Sequence, residues 1–392
     1  MAMNALITKE MLNWAIQRSM GNIDEAAKHL KIDKQKLEAW GNGESFPTFN
    51  QAQELAKKLK IPFGYLYLSK PPEEELPLPD LRVKPGTPSQ KPSPDFLEVL
   101  YSAMRKQEWY RDYLIKEDVD PVSFVNRYSM TTPIEIVAED IRSTLKLTDK
   151  FRRSARNHMD FYSNLVEQAE LSGILVMRSS IVGNNTKRKL DPNEFQGFAM
   201  SDTLAPLIFI NQTDYLSAQI FTLMHELSHI WLGISGVSIQ DYLETPIIQD
   251  ELIQRRANEI AAEILVPKND LLNRWHTHYD LDQGLEELRR YYRVSVFVIL
   301  RRIYTLEIIP YELYRSKFNE LKEGISSKKK SGGGGGYKPI FSRNSKTLTT
   351  SLLNSVSEGN TLPTQASKLL NVRPATLYNM QSYLDRNEAT HA

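Results

Sequence analysis

Apolar residues recur every three to four positions over the first 70 residues, which is the spacing of short amphipathic helices. The pattern predicts helices over 23–30 and 34–40. Asp33 stands at the N-cap position of the second of these, and Thr48 at that of a further helix. Residues 1–70 are therefore predicted to form a small domain of five helices.

The central part of the chain changes from helical to strand-like spacing and back again. Three segments are short and rich in branched and aromatic residues, namely GILVMRSSIV, FQGFAMSD and APLIFIN. They predict three strands of a small sheet. The next segment, TDYLSAQIFTLMHELSHIWLG, is apolar on nearly every side, with a Thr-Asp pair to cap its start and Gly233 at its C′ position. It predicts a central, buried helix.

Helical spacing returns in the rest of the chain. DELIQRRANEIAAEILVP predicts one helix, and LEELRRYYRVSVFVILRRIY predicts two helices joined by a turn. The last 55 residues or so predict two or three further short helices. The predicted fold class is therefore α+β, mainly helical, with a small sheet packed on the central helix and a helical C-terminal region.

Two stretches of biased composition divide the chain. Residues 71–95 are rich in proline, and residues 326–337 are rich in lysine and glycine. Both compositions are typical of linkers, since proline prevents helix formation and glycine runs are flexible. They predict three domains, over residues 1–70, 96–325 and 338–392.

Charge and cysteine content narrow the possible functions. The 49 Lys and Arg residues nearly balance the 48 Asp and Glu residues, so the chain is not basic throughout. It contains no cysteine, so any zinc must be held by histidine and by carboxylate or amide oxygen. No signal-like N-terminus and no apolar run of about 20 residues is present. We expect a cytoplasmic protein without a membrane partner.

The first helices have the spacing of a helix-turn-helix, and residues 5–68 resemble the XRE/Cro-type repressor domain. The resemblance implies that Lys34, Gln35 and Lys36, at the start of the third helix, contact base edges in the major groove of a double-stranded DNA operator. Because operator half-sites match two-fold symmetry, a homodimer is expected. The alternative is a helical protein-interaction domain with solvated lysines.

The central helix contains His225, Glu226 and His229 in the order H-E-x-x-H. Residues four apart share a helix face, so both imidazoles can bind one zinc ion. Glu226 projects about 100° away, where it can act as general base on a metal-bound water. The alternative is a pair of ordinary buried histidines on a core helix.

The surrounding sequence, roughly residues 160–270, resembles the ImmA/IrrE family of HExxH metallopeptidases. Longer members of that family also carry an XRE domain in front and a helical tail behind. The resemblance implies proteolysis of a repressor or antitoxin or, in other members, the antitoxin half of a toxin–antitoxin pair. It also implies a glutamate as third zinc ligand, four residues before Asn258, where this chain has Gln254.

A neutral Gln254 leaves the charge of a zinc ion uncompensated, so we expect weak zinc binding or none. Glu251 is a conceivable substitute ligand, about 60° around the helix from Gln254. Two functions stay open. One is a DNA-binding antitoxin or autorepressor that docks a protein partner, either a toxin or a repressor, through its peptidase-like domain. The other is an active zinc endopeptidase that cleaves such a partner.

Overall fold

The computed structural model describes residues 3–72, 76–79, 92–238, 249–275, 280–323 and 336–388. The chain forms two compact units. The first contains Met1–Pro77 and Gln90–Leu100, and the second contains Leu78–Ser89 and Tyr101–Ala392. The fold is α+β and mainly helical, as the sequence predicted. Within the described residues, no helix is both long enough and apolar enough to span a membrane.

Four α-helices and a 3-10 helix make up most of the first unit. They are α1 (Lys9–Met20), α2 (Ile23–Leu30), α3 (Lys34–Asn42), α4 (Phe49–Lys58) and the 3-10 helix Phe63–Tyr67. The fifth predicted helix is thus a single 3-10 segment. The apolar faces meet in one core, which includes Leu12, Leu30, Leu37 and Leu55.

Side-chain caps set the helix starts in this unit. Asp33 accepts a hydrogen bond from the backbone of Lys36 at 3.2 Å, and Thr48 forms a capping box with Gln51. Both predicted caps are confirmed. Lys31 ends α2 in the left-handed conformation, with φ of 57°.

The second unit begins with helices and then forms a sheet. Its helices before the sheet are α5 (Pro94–Lys116, which starts in the first unit), α6 (Ile134–Thr144), α7 (Asp149–Ser154) and α8 (His158–Leu171). Its strands are β1 (Leu175–Ser179), β2 (Ile181–Val182), β3 (Asn185–Lys189), β4 (Gly197–Met200), β5 (Leu207–Asn211) and β6 (Gly236–Ser238). The three predicted strands correspond to β1, β4 and β5. The first predicted segment also contains β2, which the sequence did not separate from β1. The sequence did not predict β3 or β6.

Four strands form a mixed sheet in the order β1-β5-β4-β6. β1 pairs with β5 in parallel, whereas β4 pairs with β5 and with β6 in antiparallel orientation. β2 and β3 form a separate two-stranded hairpin. On the side of β6 away from β4, the backbone of Val237 donates to the carbonyl oxygen of Pro79 at 3.1 Å.

The central helix α9 (Leu216–Trp231) contacts β4 and β5 of the sheet and also packs against α6, α8 and α10. Because α9 is enclosed in this way, every residue from Gln219 to Trp231 is buried. The helix ends as predicted, with Gly233 in the left-handed region at φ of 69°. Its start differs, since Tyr215 takes the N-cap position and no side chain caps the helix.

The helices after α9 complete the unit. They are α10 (Gln249–Leu265), α11 (Lys268–Arg274), α12 (Leu281–Tyr292), α13 (Val296–Thr305), α14 (Tyr311–Glu323), α15 (Lys338–Asn344), α16 (Lys346–Ser357), α17 (Pro363–Leu370) and α18 (Pro374–Glu388). The predicted helix pair is α12 and α13. Most of the predicted Lys/Gly-rich linker, residues 326–335, lies outside the described residues.

Candidate functional site

The two histidines of α9 face each other on one side of the helix. The Nε2 atoms of His225 and His229 are 3.0 Å apart, and both side chains are fully buried. Two nitrogen ligands about 2.0–2.1 Å from a tetrahedral zinc ion lie roughly 3.4 Å from each other. The spacing of the two imidazoles is therefore close to that of a shared metal ion.

Asn258 of α10 fixes the orientation of His225. The amide oxygen of Asn258 lies 2.8 Å from Nδ1 of His225. Because an amide oxygen only accepts, Nδ1 carries the proton and Nε2 keeps its lone pair. This is the tautomer that a metal ligand needs, and such hydrogen bonds commonly orient metal-binding histidines. The sequence analysis used Asn258 only to locate Gln254 and missed this role.

Burial keeps both imidazoles neutral. It lowers the pKa of His225 to about 4, although contacts with Asn258 and Gln254 offset part of the effect. The pKa of His229 is held well below its ordinary value by burial, and the neighbouring His225 lowers it further. Neutral imidazole is the form that binds a metal ion, and burial favours that form at both positions.

Glu226 is buried without a hydrogen-bond partner for either carboxylate oxygen among the described residues. Burial raises its pKa well above the ordinary value, and the nearby Ser238 hydroxyl offsets this only in part. A buried carboxyl group without a partner is costly, which indicates that a polar or charged group belongs beside it. Gly197 of β4 leaves the space, since a Cβ atom there would lie 2.8 Å from Oε1 of Glu226.

Gln254 of α10 lies at the same site. Its Nε2 atom donates to the Ser238 hydroxyl at 3.4 Å, and its side chain also makes a hydrogen-bonding contact with His225. Its Oε1 atom is buried and has no hydrogen-bond partner among the described residues. An amide oxygen in this position can act as a third ligand, but it is neutral. The side chain of Glu251 lies outside the described residues.

The donor set fits a cation in number but supplies no negative ligand. His225, His229 and Gln254 provide two nitrogen atoms and one amide oxygen. In the part of the chain that the structure describes, no group of three or more His, Cys, Asp or Glu residues could hold a metal ion. A divalent cation held by these three donors would have no charge compensation at the site other than Glu226, which lies beside it.

Access to the site is restricted. β6 pairs with β4 directly over the site, with Ser238 opposite Gly197. The edge of β4 is therefore not open for pairing with an extended peptide. His225, Glu226 and His229 have no exposed surface.

The predicted DNA-contacting residues lie together at the start of α3. Lys34, Gln35 and Lys36 are all exposed. Lys34 forms ion pairs with Asp24 at 2.8 Å and with Glu38 at 3.8 Å, while the ammonium group of Lys36 lies 5.4 Å from the Trp40 ring centroid. Lys34 is thus paired with carboxylates of α2 and α3, and Lys36 lies over the Trp40 ring.

Comparison with known families supports the interpretation of the central domain. Residues 169–304 match the family model of the IrrE N-terminal-like domain, Peptidase M78. This segment contains the whole candidate metal site, and the predicted likeness to the ImmA/IrrE family is confirmed for it. Residues 344–382 match a domain of unknown function, DUF8813. Neither match covers the N-terminal helices, and no curated protein matches the chain.

Proposed function

We propose that this chain is a DNA-binding transcriptional regulator whose IrrE-like domain docks a protein partner and binds zinc only weakly. One observation carries the second half of this proposal. Gln254 lies beside His225, and its buried amide oxygen, which has no hydrogen-bond partner among the described residues, is available as a neutral third donor. Catalytic zinc sites that combine two histidines with an oxygen ligand take that oxygen from a carboxylate.

The closed site favours docking over rapid cleavage. A peptidase must bring the scissile bond next to the metal and the general base, yet these side chains are fully buried below the β4–β6 pair. A domain that keeps the peptidase fold can still present its outer surface to a toxin or a repressor. The class of partner follows from the resemblance to ImmA/IrrE proteins.

DNA binding is supported by the geometry of α2 and α3. A left-handed residue, Lys31, ends α2, and α3 begins three residues later with its first turn exposed. Lysine can donate to guanine and glutamine can pair with adenine at this position of a helix-turn-helix. We propose that the chain binds a palindromic operator as a homodimer.

A gel-shift titration on duplex DNA from the promoter of the chain's own gene tests the regulator function. Replacing Lys34, Gln35 and Lys36 together by alanine is expected to weaken specific binding by at least tenfold, since each good base contact contributes about 1–3 kcal/mol. Replacing Lys57 and Lys58 on α4 by alanine removes two positive charges outside α3 and serves as the control. This variant should keep the sequence preference of the unaltered chain. Unchanged affinity and specificity in the triple variant would overturn the assignment of α3 as reader.

An active zinc endopeptidase is the second candidate, and the unpaired carboxyl group of Glu226 favours it. Zinc, when bound, supplies Lewis-acid chemistry that makes a water molecule a good nucleophile. In that function His225, His229 and Gln254 would hold the ion, Asn258 would orient His225, and a carboxylate oxygen of Glu226 would accept the proton. A co-purified protein partner that is cut with zinc by the unaltered chain, but not by Glu226→Gln, would establish this activity.

A further inference from the structure

The C-terminal helices α17 and α18 are joined in the same way as α2 and α3. α2 and α17 each have eight residues and end in a left-handed residue, Lys31 with φ of 57° and Asn371 with φ of 56°. In both cases the next helix begins three residues after the left-handed residue. The two segments, IDEAAKHLKIDKQKLEAW and PTQASKLLNVRPATLYNM, align without insertion or deletion.

The aligned positions also share their packing. Ala26, Leu30 and Leu37 are buried in the first pair, and their counterparts Ala366, Leu370 and Leu377 are buried in the second. The turns carry the same backbone hydrogen bond. Ile32 donates to Ala27 at 3.1 Å, and Val372 donates to Ser367 at 3.0 Å. α16 packs against α17 as α1 packs against α2, and its Leu348, Leu352 and Leu353 are buried.

A third helix pair shows that this turn alone does not make a binding surface. α12 and α13 are joined through the left-handed Arg293, with Ser295 as N-cap, but Val298, Ile299 and Leu300 of α13 are buried in the core. The first turns of α18 are open instead. The side chains exposed there include Arg373, Ala375, Tyr378 and Asn379.

The sequence around α18 carries a net positive charge. Residues 337–388 contain six Lys and Arg residues and three acidic residues, Glu358, Asp385 and Glu388. The β2–β3 hairpin touches the turn between α17 and α18, where the Asn184 side chain donates to the carbonyl oxygen of Asn371. Arg343 of α15 donates in turn to Asn184 at 2.5 Å.

That hairpin carries further positive charge. β3 has the sequence NTKRK, and its Lys187 and Lys189 are exposed. Two exposed ammonium groups therefore lie on a strand that is attached to the turn before α18. Surfaces that bind nucleic acid combine such basic groups for the phosphates with an exposed helix for the groove.

We propose that α18 and the β2–β3 hairpin form a second binding surface for double-stranded DNA, with α18 in the major groove and Lys187 and Lys189 on the phosphate backbone. The charge distinguishes this partner from a protein. Among the side chains of this surface that the structure describes, one large apolar side chain, Tyr378, is exposed among basic and amide groups, whereas protein interfaces have apolar centres. The surface shares no residue with α3, so it does not depend on the function proposed for the N-terminal helices.

The test uses the full chain with Lys34, Gln35 and Lys36 replaced by alanine, which removes the contacts proposed for α3. The probe is a fluorescein-labelled pool of random duplexes of about 30 base pairs, titrated by anisotropy at several salt concentrations. Adding Lys187→Ala and Lys189→Ala is expected to weaken binding at least tenfold. The slope of log Kd against log salt concentration should fall by about 2, because two phosphate contacts are lost.

Two further variants complete the experiment. Lys150→Ala with Arg153→Ala on α7 removes the same charge from exposed positions elsewhere in the unit, and should leave affinity and slope within twofold. Arg373→Ala with Asn379→Ala should change the sequences that the chain enriches from the random pool. Circular dichroism checks that each variant is folded.

Three results would overturn the proposal. These are equal effects of the hairpin and α7 variants, enrichment that does not respond to the α18 variant, and no DNA binding once the α3 contacts are removed. The last result would still leave the reader proposed at α3 intact. Conversely, DNA binding that does not respond to the α3 changes but is lost in the hairpin variant would contradict base contacts by α3 and support this surface.

Discussion

Asn258 and Gln254 lie four residues apart on α10, and both side chains reach His225 of α9. The resemblance to a family predicted the position of Gln254, because a ligand position can be counted along a motif. It could not predict that Asn258 orients His225, since this contact depends on how α10 packs against α9. A polar residue one helical turn after a candidate ligand was the available signal.

Replacing Asn258 by alanine should lower zinc affinity without removing any candidate ligand. The Nδ1 atom of His225 would lose its hydrogen-bond acceptor, so the imidazole would no longer be held in the metal-binding tautomer. Loss of such a partner lowers metal affinity by about 10–100-fold. Competition with a chromogenic zinc chelator measures the change.

The control for this prediction is Asn269→Ala, which alters an exposed asparagine on α11. It should leave zinc affinity unchanged. Equal zinc affinity of the Asn258 variant and the unaltered chain would contradict the role of Asn258 at the site.

The elements that the sequence predicted well are those with strong apolar patterns. α9 is apolar all round and ends at a glycine, and β1, β4 and β5 are short apolar runs. β3 escaped prediction because NTKRK has no apolar alternation, and β6 because it has three residues and depends on pairing with β4. The start of α9 was wrong in detail, since its Thr-Asp pair lies before the helix and does not cap it.

A buried ion pair links α10 to α13. Arg302 donates to Glu263, and both side chains are about nine-tenths buried. The backbone of Lys268 also donates to Glu263 at 3.0 Å, and Arg302 donates to the carbonyl oxygen of Val266 at 3.0 Å. These contacts satisfy the Glu263 carboxylate within the core of the unit.

Glu263→Ala should therefore destabilise the fold, because it leaves the Arg302 guanidinium buried without its anion. The expected loss in the free energy of unfolding is about 3–5 kcal/mol. Urea denaturation followed by circular dichroism measures it. Glu259→Ala on the same helix breaks a more exposed pair with Arg255 and should cost less than about 1 kcal/mol. Similar losses in both variants would argue against the buried pair.

At the scale of the whole molecule, the helix-turn-helix build occurs near both ends of the sequence, with the IrrE-like domain between them. The N-terminal copy was predicted because its capping residues and lysines stand out. The C-terminal copy was predicted only as short helices. Pro374 and the many Thr and Ser residues nearby make the apolar spacing of a helix-turn-helix hard to recognise in the sequence. What the sequence could not supply was the exposure that separates α18 from the buried α13.

We infer that Gln254 leaves this chain with a weak metal site. Zinc content per chain, measured by elemental analysis after dialysis of each protein against the same zinc buffer, tests it most directly. The unaltered chain should hold well under one zinc ion, and Gln254→Glu should raise the content towards one, because it adds the missing anionic ligand. Gln53→Glu on α4 controls for the added charge and should change nothing. One zinc ion per unaltered chain, with no gain in Gln254→Glu, would contradict the account and favour an active peptidase.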